Sequence, residues 1–158
     1  MRVEYKNKNL YEMSKKELVE TRRADFGIIF QSHYLFRGFS AKENLEVASI
    51  LSKNGIDMEL AKSFNVEHVL DQPISTLSGG QQQRVSIVRV LTKKPKIIFA
   101  DEPTGNLDKE SAHTVMETIF RYVYGANASL FCVTHDETLA FKCDKVYRLD
   151  GKELGRLK

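Results

Sequence analysis

The chain has 158 residues, of which 42% are hydrophobic and 28% are charged. These proportions are ordinary for a globular protein and leave room for one core, so we predict a single domain over 1–158. The 24 basic and 21 acidic residues are dispersed and give a net charge of +3, which argues against a nucleic acid partner. No apolar run is long enough to span a bilayer and no signal peptide is evident, so we expect any membrane association to come through a partner protein.

The first half of the sequence predicts one strand and then a helical region. Residues 2–5 have strand character. Ser14 and Ser40 are each followed three positions later by a glutamate, the capping-box pattern, which predicts helices near 14–22 and 40–52. No strand pattern occurs between Gln31 and Leu77, so we predict an inserted helical subdomain over 32–76.

The second half predicts a parallel sheet with a crossover helix. A helix begins near Ser78 and ends before Pro95, which cannot continue it. The apolar runs 97–100 and 129–133 fit strands that are buried on both faces, and Asp108 caps an amphipathic helix between them. This order of strand, helix and strand indicates an α/β fold.

The last part of the sequence predicts a hairpin and contains no metal-binding pattern. Asp150-Gly151 lies between 146–149 and 154–157, which is a strong turn signal between two strands. Cys132 and Cys143 lack the spacing of a metal site or a redox pair, so we interpret them as reduced, buried thiols.

Two segments have the residue types that phosphate chemistry needs. The run Ser78-Gly79-Gly80-Gln81 opens a helix, and two glycines at a helix N-terminus let backbone N–H groups approach an anion. Asp101 and Glu102 end an apolar strand, where one carboxylate suits Mg²⁺ bound through water and the next suits an attacking water. The plainer alternatives are a simple helix cap at Ser78 and a strand end with two solvated acids.

Together these segments resemble the signature, Walker B and D-loop motifs of ABC-type ATPases. The signature resemblance spans 77–91, and the Walker B and D-loop resemblance spans 97–108. Gln31 is similar to the Q-loop glutamine of that family and His135 to its switch histidine, and all four motifs occur in the family's order. The motif runs look most like bacterial exporters of the lipoprotein-release and macrolide-efflux type, and the resemblance covers nearly the whole chain.

The resemblance implies an ATPase that forms a head-to-tail dimer with a homologous subunit and drives a transmembrane permease. It implies ATP with Mg²⁺, with Asp101 and Gln31 contacting the metal and with Glu102, His135 and Gln31 in catalytic roles. The residues that it implies in binding ATP across the dimer, or in linking its two sites, are Ser78, Gly79, Gly80, Gln81 and Asp108. The implied location is cytoplasmic, peripheral on the inner face of the plasma membrane through the permease.

A phosphate-binding loop is missing from these 158 residues. The pattern Gly-x-x-x-x-Gly-Lys-Ser/Thr does not occur, and the one Gly-Lys pair, Gly151-Lys152, falls in the predicted hairpin. The resemblance therefore implies an incomplete P-loop NTPase domain, truncated at its N-terminus. We expect such a chain to be inactive alone and at most to supply its signature motif to an intact partner.

Three alternatives stay open at this point. One is that the chain is a non-functional fragment or a mis-started reading frame of such a subunit, with no enzymatic role. A non-transport ABC ATPase, such as a translation or DNA-repair factor, is a further option, although those usually contain two ATPase halves or long coiled coils. The apolar cluster Tyr34, Leu35, Phe36 and Phe39 fits either a groove for a coupling helix of the permease or ordinary core packing.

Overall fold

A three-stranded parallel sheet lies at the centre of the computed structural model, which describes residues 2–158. Short 3₁₀ turns cover Leu10–Glu12, Glu67–Val69 and Ile74–Thr76. The strands and α-helices follow one another as β1 (Glu4–Tyr5), β2 (Lys8–Asn9), α1 (Lys15–Ala24), β3 (Phe26–Ile29), α2 (Ala41–Ser52), α3 (Met58–Ser63), α4 (Gly79–Thr92), β4 (Ile97–Asp101), α5 (Lys109–Gly125), β5 (Ser129–Val133), α6 (Glu137–Ala140), β6 (Tyr147–Asp150) and β7 (Glu153–Arg156).

The central sheet has the strand order β3-β4-β5, and both neighbouring pairs are parallel. Ile28 on β3 lies opposite Phe99 on β4, and Phe99 lies opposite Phe131 on β5. Strand β4 is connected to β5 through α5, so the predicted α/β crossover is confirmed.

Serine caps set the start of α1, α2 and α4. The capping boxes predicted at Ser14 and Ser40 are both present and begin α1 and α2. A third capping box begins α4, where the Ser78 hydroxyl oxygen accepts from the backbone N–H of Gln81 at 3.2 Å and the Gln81 side-chain oxygen accepts from the N–H of Ser78 at 2.9 Å.

One face of the sheet is buried against helices. Ile29 and Ile98 point to this face and join a continuous apolar core with Val88 and Leu91 of α4. Helix α4 lies so close to β3 that a Cβ at Gly27 would be 2.7 Å from Cγ1 of Val90, which explains why glycine occupies this strand position.

The other face of the sheet is open, and here the prediction of strands buried on both faces is wrong. Ile28, Phe99 and Phe131 are 48%, 37% and 63% exposed, and Val133 is 50% exposed. These residues alternate with the buried ones, so they project from the opposite side of the strands. Among residues 2–158, the face opposite α4 is left in contact with solvent.

Two antiparallel ribbons flank the central sheet. The hairpin predicted around Asp150-Gly151 is confirmed as β6 pairing with β7, and Gly151 has the positive φ of 58° that its turn needs. At the other end of the chain, the strand predicted over 2–5 is present as the two-residue β1, which pairs with β2 in a ribbon that the sequence did not predict.

The helical region and the cysteines complete the comparison with the sequence. Within 32–76 the chain forms α2, α3 and two 3₁₀ turns, and their separation as a subdomain stays a prediction. No helix in residues 2–158 is long and apolar enough to cross a membrane.

Cys132 and Cys143 form no disulfide and are half-buried rather than fully buried. Burial raises the pKa of the Cys132 thiol to about 12.

Candidate functional site

The polar residues singled out in the sequence collect at the carboxyl edge of the central sheet. Gln31 lies two residues after β3, Asp101 ends β4, and His135 lies two residues after β5. Because the three strands are parallel neighbours, their carboxyl ends meet at one edge, which is where α/β sheets usually place ligands. The structure therefore brings these side chains to one edge of the sheet, and their roles stay a prediction.

Glu102 and His135 form a direct pair at this edge. Oε1 of Glu102 lies 2.8 Å from Nδ1 of His135 and also accepts from the His135 backbone N–H at 2.9 Å. The Glu102 side chain is 19% exposed and that of His135 is 83% exposed, so the histidine ring remains accessible to a ligand. The pair combines a carboxylate with an imidazole, the two side chains that most often serve in general acid–base chemistry.

The backbone of Glu102 has an unusual conformation. Its φ is +45°, in the left-handed region that favours glycine, while its N–H donates to the carbonyl of Val133 at 2.9 Å. This conformation ends the ladder of β4 and turns the carboxylate toward the end of β5. A non-glycine residue in such a conformation is typical of sites where position matters more than local stability.

Residues 102–108, here called the acidic loop, pack against the residues that follow β3. Nδ2 of Asn106 donates to the carbonyl of Gln31 at 2.9 Å. A Cβ at Gly105 would lie 3.4 Å from Nε2 of Gln31, so the loop backbone also approaches the Gln31 side chain closely. Gln31 and the acids are thus parts of one contiguous site.

The helix start with the signature-like sequence lies beside the acidic loop. A Cβ at Gly80 would lie 3.1 Å from Cδ2 of Leu107, which places Gly80 within van der Waals reach of the loop, whereas a Cβ at Gly79 would have no neighbour within 4 Å. Ser78 and Gln81 are joined in the capping box of α4, so Ser78 is a helix cap, as the plainer interpretation predicts. A role of these residues in phosphate binding stays a prediction.

Asp108 and Asp101 lie at the two ends of the same segment. Asp108 caps α5, and the N–H of Ser111, which donates to its carboxylate at 2.9 Å, holds the pKa of that carboxyl below its usual value. Asp101 is exposed, and its carboxylate accepts no hydrogen bond from any other residue in 2–158, which leaves its oxygens open to a cation or water.

Two contacts of α4 were not anticipated from the sequence. The fully buried Gln83 donates from Nε2 to the carbonyl of Pro103 at 2.7 Å. Arg89 donates to the carbonyl of Tyr34 at 2.9 Å, and burial lowers the pKa of its guanidinium. Helix α4 therefore contacts both segments that form the site. In the sequence, Gln83 is one of three consecutive glutamines. A run of glutamines on a solvent-facing helix surface looks the same, so the sequence does not indicate that Gln83 is buried.

The oxygen atoms of Asp101 and Gln31 fit Mg²⁺ bound mainly through water. The site contains no phosphate loop among residues 2–158. No cluster of three or more His, Cys, Asp or Glu side chains suited to a metal occurs in the described part of the chain. Mg²⁺ commonly takes one or two protein oxygens and keeps its waters, and Asp101 with Gln31 would match that number. Gly151-Lys152 lies in the β6–β7 turn and not between a strand and a helix, so it forms no phosphate cradle.

The fold and the site define an α/β protein with an acid and histidine pair at the carboxyl edge of a parallel sheet. The sequence pattern of the ABC transporter family matches residues 2–105, about two thirds of the chain. The chain belongs to this family, and the predicted resemblance to ABC-type ATPases is confirmed.

Curated relatives include ATP-binding proteins of lipoprotein-releasing systems. LolD of Bdellovibrio bacteriovorus is 38% identical over 152 residues, which are 92% of this chain and 69% of that protein. LolD 2 of Chlorobium chlorochromatii is 34% identical over 156 residues, which are 95% of this chain and 65% of that protein. LolD of Buchnera aphidicola is 37% identical over 134 residues, and there the chain spans 58% of the relative's length.

Solved structures show the same fold. The ATP-binding cassette MJ0796, in a dimeric post-hydrolysis state bound to ADP and Pi, matches with a TM-score of 0.87 and 28% identity, and the match covers 99% of this chain and 73% of that one. The protein cbiO1 of Clostridium perfringens, part of the ABC transporter complex cbiONQ, matches with a TM-score of 0.78 and 28% identity over 92% of this chain and 61% of that one. The predicted α/β fold of an ABC ATPase is thereby confirmed.

Proposed function

We propose that this chain is an ATP-binding subunit of an ABC transporter of the lipoprotein-release type, with hydrolysis chemistry at the carboxyl edge of its sheet. The observation that carries the proposal is the Glu102–His135 pair, with 2.8 Å between Oε1 and Nδ1, beside Gln31 and Asp101 in a chain of this family. The names of the LolD relatives and the ADP and Pi bound to MJ0796 support it.

In this proposal each site residue takes the role that the family resemblance implies for it. Asp101 would hold Mg²⁺ through water with its free carboxylate, and Gln31, which follows the neighbouring strand, would contact the metal and the attacking water. Glu102 orients or deprotonates that water, and His135, which Glu102 holds in place through two hydrogen bonds, reaches toward the γ-phosphate with its exposed ring. When bound, Mg²⁺ supplies positive charge that stabilises the negative charge on the transferred phosphoryl group.

The chain works in a head-to-tail dimer with a homologous ATPase subunit. The dimeric state of MJ0796 supports this arrangement. Ser78, Gly79, Gly80 and Gln81 act on the ATP that the partner subunit holds, and Asp108 links the two sites. The 158 residues contain no phosphate loop, so most of the contacts to the triphosphate come from the partner and the chain alone is inactive.

A transmembrane permease docks beside Gln31, and this places the chain in the cytoplasm, peripheral on the inner face of the plasma membrane. Tyr34, Phe36 and Phe39 are 67%, 50% and 42% exposed, while Leu35 packs against the core. Core packing therefore accounts for Leu35 alone. Tyr34 also lines an open concavity of about 520 Å³, a size that suits a short amphipathic segment of the permease.

Mixing experiments with a full-length LolD protein test the proposal. With a full-length LolD whose own signature serine is replaced by arginine, we expect ATP turnover by the mixture to require this chain's signature, so Ser78→Arg lowers that turnover about a hundredfold because a long side chain replaces a small cap at the phosphate. Glu102→Gln in this chain leaves that turnover unchanged, since the working site uses the partner's acid. The matched control is Ser129→Arg, which also replaces a serine with arginine but lies at the amino end of β5, away from the carboxyl edge of the sheet where the site lies.

The outcomes separate the alternatives. Co-purification together with a Ser78-dependent turnover supports a subunit that acts in trans. Glu102-dependent turnover by the purified chain alone would contradict the predicted inactivity. If the chain neither binds a full-length relative nor changes its turnover, the chain is a fragment without an enzymatic role.

A further inference from the structure

We propose that Gln83 and Asn106 are positioning residues that hold the acidic loop from two sides, so that the start of α4, the loop and Gln31 keep one fixed geometry. The inference rests on the proposed function for its effect on turnover, but its structural part stands on contacts in this chain. Neither side chain belongs to the residues assigned above to ATP, Mg²⁺ or water.

Gln83 ties the loop to α4. Its Nε2 donates to the carbonyl of Pro103 at 2.7 Å, and both residues are buried, so this carbonyl has no water to replace the bond. Gln83 lies one helical turn after Gly80, whose Cα faces Leu107 of the same loop. The helix start and the loop are therefore joined by one hydrogen bond and one apolar contact.

Asn106 ties the loop to the segment after β3. Its Nδ2 donates to the carbonyl of Gln31 at 2.9 Å, and Asn106 itself is exposed. Between the two ties, the loop is closed by its own bonds from Gly105 to the Glu102 carbonyl at 3.1 Å and from Leu107 to the Thr104 carbonyl at 3.0 Å. Few other hydrogen bonds hold residues 103–107 in place, so we expect the loss of either side-chain amide to make the loop more mobile.

The chemistry of Gln83 argues for more than packing. Its side-chain Oε1 is buried and finds no hydrogen-bond partner within residues 2–158. A buried, unsatisfied amide oxygen destabilises a fold, and an apolar residue of similar length would avoid that cost. The donor half of the amide, directed at Pro103, is the feature that an apolar residue cannot supply.

Hydrogen exchange on the purified chain tests the structural part without any reference to ATP. We expect Gln83→Met and Asn106→Asp each to speed exchange of the Gly105 and Leu107 amides about tenfold or more, because each removes a tie that keeps the loop closed. The matched controls are Thr92→Val, which removes a buried hydroxyl of α4 that bonds only within the helix, and Asn127→Asp, which makes the same exchange at another exposed asparagine.

Asn106→Asp keeps the test decisive even if Gln83→Met fails to fold, because Asn106 is on the surface. Acceleration confined to the loop supports the proposal. Equal acceleration in the controls, or acceleration in every helix in proportion to lost stability, would overturn it.

The functional part is read from the mixture with full-length LolD. Here both variants lower kcat about tenfold while leaving KM for ATP unchanged, because the loop ends at Asp108 and packs on the start of α4, the two parts of this chain that act on the partner's site. Altered loop exchange with an unchanged kcat would overturn the positioning role, and a mixture without turnover in the unmutated chain counts against the proposed function alone.

Discussion

At the scale of single residues, Glu102 shows how the site trades stability for position. Its φ of +45° is a conformation that costs a residue with a Cβ about 1–2 kcal/mol relative to an ordinary one. The conformation is held by the backbone bond to Val133, and it directs the carboxylate to His135. A glutamate is therefore needed at this position for its carboxylate, and the bond to Val133 at the end of β5 holds its backbone in the left-handed region.

This strain gives a prediction that needs no ligand. Glu102→Ala and Glu102→Gly both remove the carboxylate and its two bonds to His135, but only glycine adopts the left-handed backbone without strain. We expect the glycine variant to have a free energy of unfolding about 1 kcal/mol higher than the alanine variant. Chemical denaturation of the two proteins measures this difference, and an alanine variant of equal or greater stability would contradict the positive φ at this position.

At the scale of elements, the start of α1 depends on the charge of one carboxylate. Oε2 of Glu17 accepts from the Ser14 hydroxyl at 2.8 Å and from the Ser14 N–H at 3.0 Å, and Lys8 donates to its other oxygen at 3.0 Å. These bonds, the Ser14 hydroxyl first, lower the pKa of Glu17 to about 2.

The lowered pKa predicts a pH-dependent contribution to folding. A carboxyl with a folded pKa of about 2 and an ordinary unfolded pKa of about 4.3 stabilises the fold above pH 4.3, and this contribution is lost as the pH falls toward 2. We expect Glu17→Gln to lower the free energy of unfolding at pH 7, with the difference from the unmutated chain shrinking steadily between pH 4.5 and 2.5. Denaturation curves across this range measure the effect.

The matched control for this pH series is Glu153→Gln. The Glu153 carboxylate accepts no hydrogen bond from the rest of residues 2–158 and is exposed. We therefore expect its replacement to leave the pH dependence unchanged. A Glu153 variant that reproduced the Glu17 profile would mean that net charge, and not the capping box, causes the change.

Elements with local signals were predictable from the sequence, and those decided by distant contacts were not. The serine and glutamate pairs at Ser14 and Ser40 act within one helical turn, so their pattern predicts the helix starts directly. The β1–β2 ribbon turns at Lys6 and Asn7, which have φ of 50° and 61°. Lysine is a poor signal for that conformation, so the turn was missed.

The site divides in the same way. Gln31, Asp101 and His135 were singled out by the family resemblance, whereas the strand that precedes Gln31, β3, was not predicted. The tie from Gln83 spans 20 positions along the chain, and the tie from Asn106 spans 75. No periodicity in the sequence indicates a single hydrogen bond at such a separation, and only the packing of α4 against the sheet brings these groups together.

At the scale of the whole molecule, the open sheet face dominates how the chain meets its surroundings. Phe99 and Phe131 lie in ring contact, with centroids 6.2 Å apart, and Phe26 packs edge-on against Phe99 at 5.7 Å. The two outer strands of the sheet also have free edges within residues 2–158. An apolar face bordered by unpaired strand edges favours association over a monomeric state.

This face predicts that the purified chain self-associates through its sheet. We expect Phe131→Thr to reduce association, because Phe131 is 63% exposed and threonine keeps the strand propensity while removing the apolar ring. Leu149→Thr is the control, since Leu149 is 70% exposed on the separate β6–β7 hairpin. Sedimentation velocity at several concentrations compares the three proteins. If Leu149→Thr reduced association as much as Phe131→Thr, general surface hydrophobicity would explain the effect and the sheet face would not be its origin.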